Sequence, residues 1–228
     1  MTAASGKLRE YTILEEIIHA ISHGLAAIAA VVGLCFLIAK AVAAGGALEI
    51  TAAAIYGSSV LLVFALSTLY HSMVYSKRRD FYELLDHVAI YAKIAGTYTP
   101  IALLVLSDTL GLWVLVLVWC AAAAGATAKI IGFATGHAEG KVFRAISLGT
   151  YLAMGWGAVA FAGELYDRLP GAGLGWIVAG GLLYTVGAIF YALKGKRFTH
   201  AIWHGFVVLG SIAHFIAIYA FVLPRVSV

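Results

Sequence analysis

Seven apolar runs, each of bilayer-crossing length, divide this chain at approximately His19–Ala43, Leu48–Tyr70, Leu84–Leu106, Leu110–Phe133, Ala145–Ala162, Leu174–Leu193 and Ala201–Leu223. A hydrocarbon core of about 30 Å needs roughly 20 helical residues. Lipid offers backbone N–H and C=O groups no water, so each run must satisfy its own hydrogen bonds as a helix. Charged residues supply only 11% of the 228 residues and hydrophobic residues 63%. A soluble domain is about a quarter charged, and with so few charges this chain has to turn its surface to lipid. The fold class expected is therefore all-α, a seven-transmembrane helix bundle in a cell (plasma) membrane.

The runs are separated by turn and charge signals: Gly45-Gly46, Ser76 to Asp80, Ser107-Asp108, Gly136 to Lys141, Asp167 to Gly173, and Lys194 to Arg197. All are short, which predicts one domain over residues 1–228, with residues 1–16 as a cytoplasmic N-terminal segment. That segment is mostly polar and no small-residue cleavage pattern follows it, so the first run is expected to stay as a helix. No internal repeat points to an inverted-repeat transporter. Cys35 and Cys120 lie inside apolar runs without a CxxC partner and read as small buried hydrophobes. No P-loop, GxSxG or CxxC pattern occurs, and the net charge of +4 fits basic cytoplasmic loops better than nucleic acid.

Orientation follows from where Lys and Arg fall in short loops. One side takes Lys7, Arg9, Lys77, Arg78, Arg79, Lys141, Arg144, Lys194, Lys196 and Arg197, and the other takes Lys40, Arg168 and Arg225. Ten against three predicts a cytoplasmic N-terminus and, with an odd number of helices, an outside C-terminus. Lys93 and Lys129 fall inside helices; Lys129 is near a helix end and is expected to snorkel.

The histidines are not scattered over this topology. His19 and His23 open the first helix, His71 closes the second, His87 opens the third beside Asp86, and His200 and His204 open the seventh. All of these ends belong to the predicted cytoplasmic side. His200 and His204 are four residues apart, one turn on one helix face, as are Ser67 and His71. An HxxxH pair alone is a weak signal, and Asp86 alone could be a carboxylate at the bilayer edge paired with Lys93, two turns on. Intramembrane ionisable groups are costly, however, and mark functional sites by default. Together His71, His200 and His204 would supply three nitrogens for a metal. Asp86 would serve as a further ligand, as a hydrogen-bonding partner, or as the holder of a metal-bound water. His214 lies deeper and faces partly another way, near Ser211; His137 reads as a solvated loop residue. His87 points off the Asp86 face. Trp113, Trp156 and Trp176 fit interfacial belts or packing.

These residues, in this order, resemble the bacterial hemolysin III family of the progestin and adipoQ receptor superfamily. The resemblance covers nearly all of the chain. It rests on Glu16-x2-His19-x3-His23, Ser67-Thr-Leu-Tyr-His71, and Leu85-Asp86-His87 running into Ile94-Ala-Gly-Thr-Tyr-Thr-Pro100. It continues with Tyr151-x2-Met-Gly-Trp156 and with His200-x3-His204 followed by Gly210-Ser211-x2-His214. It implies a seven-helix bundle with a cytoplasmic N-terminus and a zinc ion, Zn2+, on His71, His200 and His204, accompanied by Ser67 and Asp86. Receptor members and the related alkaline ceramidases are associated with hydrolysis of lipid amides; bacterial members are named for haemolysis and linked to membrane homeostasis. One departure is His19, where the family usually has asparagine.

Two functions follow as expectations. In the first, the protein is a zinc-dependent hydrolase of membrane lipid amides. Zinc would bring the pKa of its bound water to about 7, Asp86 would hold or deprotonate that water, and Ser67 would hydrogen-bond the water or the oxyanion. In the second, the protein is a non-enzymatic cytolysin or membrane-homeostasis protein in which zinc is a structural clamp. Outside the histidine cluster few helix faces carry polar stripes, which argues against a wide pore in one copy.

Overall fold

The computed structural model describes residues 11–137, 140–193 and 195–223. The first ten residues of the expected cytoplasmic segment, with Lys7 and Arg9, lie outside the described residues, as do Lys194 and Arg225. The described residues form α1 (Ile13–Ala44), α2 (Ala47–Ser72), α3 (Arg79–Pro100), α4 (Thr109–Ala134), α5 (Lys141–Trp156), α6 (Ala162–Arg168), α7 (Gly171–Ala192) and α8 (Thr199–Ala217). π-helical turns extend α3 over Ile101–Val105 and α8 over Ile218–Val222, and a 3-10 turn at Gly157–Phe161 joins α5 to α6. Seven helical stretches are long and apolar enough to cross a membrane, the fifth being α5 and α6 together. No strand occurs among the described residues.

Several helices start earlier than the apolar runs do, because caps and charged first turns extend them. α1 begins at Ile13, not near His19, since Thr12 and Glu15 form a reciprocal capping box that satisfies two otherwise orphaned N–H groups. It ends where Gly45 takes a left-handed backbone, φ 82°, the usual stop for a helix. Asp108 caps α4 by accepting from Leu110 N at 3.0 Å and Gly111 N at 3.4 Å. It also pairs with Arg168 at 2.8 Å, and that guanidinium holds the Asp108 carboxyl below its usual range. Pro100 has no N–H to give the helix; directly after it the ladder widens to the π turn, with Leu106 N bonding Ile101 O at 2.9 Å.

α2 and α3 form the middle of the bundle: 50% and 56% of their most apolar windows are buried, against 17% for α4 and 11% for the α5–α6 span. The core runs between them through Leu37, Tyr56, Ala95, Leu106, Ile218 and Leu223. Large side chains such as Leu25, Ile28, Leu117 and Ile146 are exposed and face the lipid. Two expectations change here. Cys35 and Cys120 are exposed rather than buried, because apolar residues on the outside of a membrane protein look like core residues in sequence. Lys129 does not snorkel; it is buried at 4% exposure, with its ammonium 5.2 Å from the Phe143 ring centre. Trp113 and Trp176 are exposed, whereas Trp156 packs inward and donates to Thr185 at 2.9 Å.

The tightest backbone approach in this frame is at Gly111, where a Cβ would sit 2.3 Å from Ala102 O and 2.8 Å from Leu106 O. Carbonyls in a helix end cannot swing aside as side chains do. Gly111→Ala is expected to cost about 1–3 kcal/mol as overpacking, read as a lowered melting temperature in detergent. Gly175→Ala, where a Cβ meets nothing within 4 Å, should leave melting unchanged or raise it.

Candidate metal centre

The face that α1 turns inward at one end of the bundle carries Glu16, His19 and His23, spaced i, i+3 and i+7, all buried. α2 brings Ser67 and His71 to the same place, and the first turns of α8 bring His200 and His204; these too are buried. Four imidazoles meet. The ring centres of His19 lie 4.7 Å from His71, 4.8 Å from His200 and 5.0 Å from His204. The remaining pairs, His71–His200, His71–His204 and His200–His204, are 5.3, 5.0 and 4.7 Å apart. Near-equal separations of four centres describe a tetrahedron of rings.

Hydrogen bonds fix which nitrogens point inward. His71 Nδ1 donates to Glu16 Oε2 at 2.7 Å, leaving Nε2 as a lone-pair nitrogen that is buried and without a hydrogen-bond partner. Ser22 spends its hydroxyl hydrogen on the carbonyl of His19 at 2.9 Å. It can therefore only accept from His204 Nδ1, 3.2 Å away, which leaves the His204 Nε2 lone pair facing His200. His200 Nε2 and His204 Nε2 are 3.2 Å apart. Both ring nitrogens of His19 are buried without a hydrogen bond. Lone-pair nitrogens converging in a dry site are what a metal needs and what a protein core otherwise avoids. A tetrahedral ion with an imidazole bond of about 2.1 Å has ligand atoms about 3.4 Å apart, close to the His200–His204 separation. His19, His71 and His200 each offer a nitrogen, all within 4.8 Å of one another, so small ring rotations would bring them onto one ion. The residues present thus fit a metal.

The supporting shell is as specific as the cluster. Arg79 donates to Glu16 Oε1, so one carboxylate joins α1 to α2 and α3. Its neighbour Glu15 accepts from Phe198 N at 2.9 Å. Phe198 has a left-handed backbone, φ 60°, a conformation that costs a non-glycine residue energy, and it directly precedes α8. Glu15 thereby holds the turn that aims His200 and His204. Tyr11 covers the cluster: its ring stacks on His200 at 5.1 Å and meets His19 edge-on at 4.9 Å, and burial pushes its hydroxyl pKa well up.

Asp86 and Ser67 stand on the wall of a cavity of about 120 Å³ that also reaches His23, His200 and His204. Ser67 bonds His23 Nδ1 at 2.8 Å, and the His23 ring stacks on His204 with centres 3.6 Å apart. The sequence-derived set is thus brought together in two parts: His200 and His204 with Asp86 and Ser67 on the cavity, and His71 behind them on Glu16. His87, despite its place beside Asp86, lines the same cavity and sits 3.3 Å from the Tyr191 hydroxyl. His214 bonds the carbonyl of Ile177 at 3.1 Å rather than Ser211. His137 is exposed and bonds Thr135 at 3.0 Å. Lys93 is not paired with Asp86; it donates to the Tyr184 hydroxyl. Sequence reasoning gave no role to Glu15, Ser22 or Arg79. It placed Glu16 only within a motif. The available signal was two acidic residues side by side at the start of a membrane helix.

A family model described as haemolysin-III related matches residues 11–215. The chain is 44% identical over 208 residues to a hemolysin-3 homolog of Bacillus subtilis (strain 168), covering 91% of this chain and 94% of the relative. It is 39% identical over 229 residues to hemolysin-3 of Bacillus cereus, covering 100% of both. A more distant relative is the human monocyte to macrophage differentiation factor, 29% identical over 173 residues, 73% of this chain and 68% of that protein.

Glu16→Gln keeps the shape of the side chain but removes the charge that orients His71. Loss of such an outer partner lowers metal affinity by about 10–100-fold. Competition against a chelator of known affinity should show a drop in that range, and an unchanged affinity would mean that Glu16 serves packing alone.

Proposed function

The chain belongs to the haemolysin III family of multi-pass membrane proteins, and we propose that it is a zinc-dependent hydrolase of membrane lipid amides with its site at the cytoplasmic side. The observation that carries this reading is the shared wall: His200, His204, Asp86 and Ser67 all border one cavity. His71, His200 and His204 would hold the ion, with Glu16 and Ser22 fixing the tautomers of His71 and His204. Zinc bound there supplies Lewis acidity toward a carbonyl and brings the pKa of water to about 7.

The chain's own residues do the rest. Asp86 is the carboxylate on the cavity wall, placed to hold water and take its proton. With its proton on Nδ1, His23 donates to Ser67 Oγ at 2.8 Å, and the serine's own hydrogen is then free to donate to a developing oxyanion in the cavity. The apolar lining, including Val63, Ile90, Ile94 and Leu152, suits an acyl chain and keeps bulk water away. The cytoplasmic placement is supported by the ten cations against three in the loops.

A second reading is favoured by one residue. His19 stands as near to the other three imidazoles as they stand to one another, and four imidazoles would close the shell as structural sites do. The protein would then be a non-enzymatic cytolysin or membrane-homeostasis protein with zinc as a clamp.

X-ray absorption on the purified zinc-loaded protein separates the two. Three nitrogens and one oxygen, with turnover of an amide lipid that is lost in His204→Ala, is the expected result. Four nitrogens, together with no turnover above His204→Ala for any amide or ester lipid, would replace the hydrolase with the structural site.

A further inference from the structure

Lys93 is buried, at 7% exposure, two helical turns or about 10 Å along α3 from Asp86. Its ammonium lies 3.8 Å from the centre of the Tyr184 ring and donates to the Tyr184 hydroxyl. The donor order of that contact is fixed. Ser211 gives its hydrogen to Val207 O at 2.8 Å, so it accepts from Tyr184, 2.9 Å away, and Tyr184 in turn accepts from Lys93. One ammonium hydrogen is thereby used. No carboxylate pairs with Lys93 among the described residues; Arg79 and Arg168, by contrast, have Glu16 and Asp108. A cation at this depth with one phenol for company is costly, and a well-packed apolar residue would normally serve better.

Two cavities adjoin here, and Lys93 lines the one that reaches the histidines. A second cavity of about 110 Å³ shares Gly155, Trp156, Gly181 and His214 with the first and leads away from the histidines between Ile101, Leu165 and Ile218. This second space is lined almost wholly by apolar side chains. At Gly155 an added Cβ would meet nothing within 4 Å, so the wall there leaves room for entry.

We propose that Lys93 and Tyr184 form an anion subsite for a long-chain carboxylate, its carboxylate on the Lys93 ammonium and the first part of its acyl tail in the second cavity, the rest of the tail running on into the lipid. The carboxylate supplies the missing counter-charge, and the tail fills apolar space pointing away from the histidine cluster. The head group thus binds the lysine and not the metal, and the site stands whether or not the cluster holds an ion.

Palmitate and hexadecanol binding to the purified full-length protein in a non-ionic detergent tests this. Palmitate is expected to bind the native protein and to bind Lys93→Met about tenfold or more weakly, the loss expected for a charged hydrogen bond in a dry site. Hexadecanol should bind both alike, and Lys93→Arg, which keeps the charge, should retain most of the palmitate affinity. Removal of metal by EDTA should leave palmitate binding in place. The methionine variant loses an uncompensated charge, so its melting temperature without ligand should match or exceed that of the native protein. Failure of palmitate to bind, equal binding by Lys93→Met, or loss of binding on EDTA treatment overturns the proposal; the last result would place the carboxylate on the metal.

Discussion

The buried carboxylate of Glu16 holds one end of this bundle together. It accepts from His71 on α2 at 2.7 Å and from Arg79 at the start of α3, and it sits 3.9 Å from His19 on its own helix. Taking a carboxylate out of water costs several kcal/mol unless its partners are well placed, and here both oxygens have them. Glu15, one residue earlier, ties α1 to the turn before α8. Two adjacent acids on one helix therefore fix the positions of three others. An apolar pair could pack the same helices, but it would leave the His71 ring without an orientation and the Phe198 turn without its acceptor. The polar links set direction where packing alone sets only distance.

The spans were legible because bilayer thickness fixes helix length and lipid forbids other backbone forms. Their starts were less so. The apolar run begins near His19, but the helix begins at Ile13 because Thr12 and Glu15 cap it and because Glu15 and Glu16 are buried by partners on other helices. The convergence of His71, His200 and His204 was legible from i, i+4 spacing combined with topology. The inclusion of His19 was not, since it depends on how α1 is rotated against α2 and α8. Nor could the tautomers be read. They rest on Ser22 giving its hydrogen to His19 O and on Glu16 facing His71, contacts 182 and 55 residues apart in sequence for the His204 and His71 bonds. Hydropathy also fails to tell lipid-facing from core-facing positions, because both are apolar. Cys35 and Cys120 were misplaced for that reason, and Lys129 shows the converse, a charge kept inside against an aromatic ring.

Polarity in this protein is graded along the bundle. At one end stand the imidazoles, two glutamates and Arg79. Deeper lie Asp86 and Ser67 on the cavity wall, then Lys93 with Tyr184 and Ser211. Beyond His214 the second cavity is lined almost entirely by apolar groups. A gradient of this kind suits an amphiphile better than an ion. An aqueous pore needs polar faces from end to end, and the apolar stretch beyond His214 interrupts them.

Charge does not decide how many imidazoles a metal would use. Each imidazole is neutral as a ligand, so a fourth ring from His19 would leave the charge of the site where three leave it. Geometry decides instead. His19 stands 4.7 to 5.0 Å from the other three ring centres, as near as they stand to one another. A rotation that turned one of its nitrogens to the centre would close a four-coordinate shell. A rotation that kept both nitrogens off the centre would leave one position open toward the cavity on which Asp86 and Ser67 stand. The side chains around the His19 ring, Tyr11 edge-on to it and Glu16 one turn earlier on α1, are therefore the contacts on which the two readings divide.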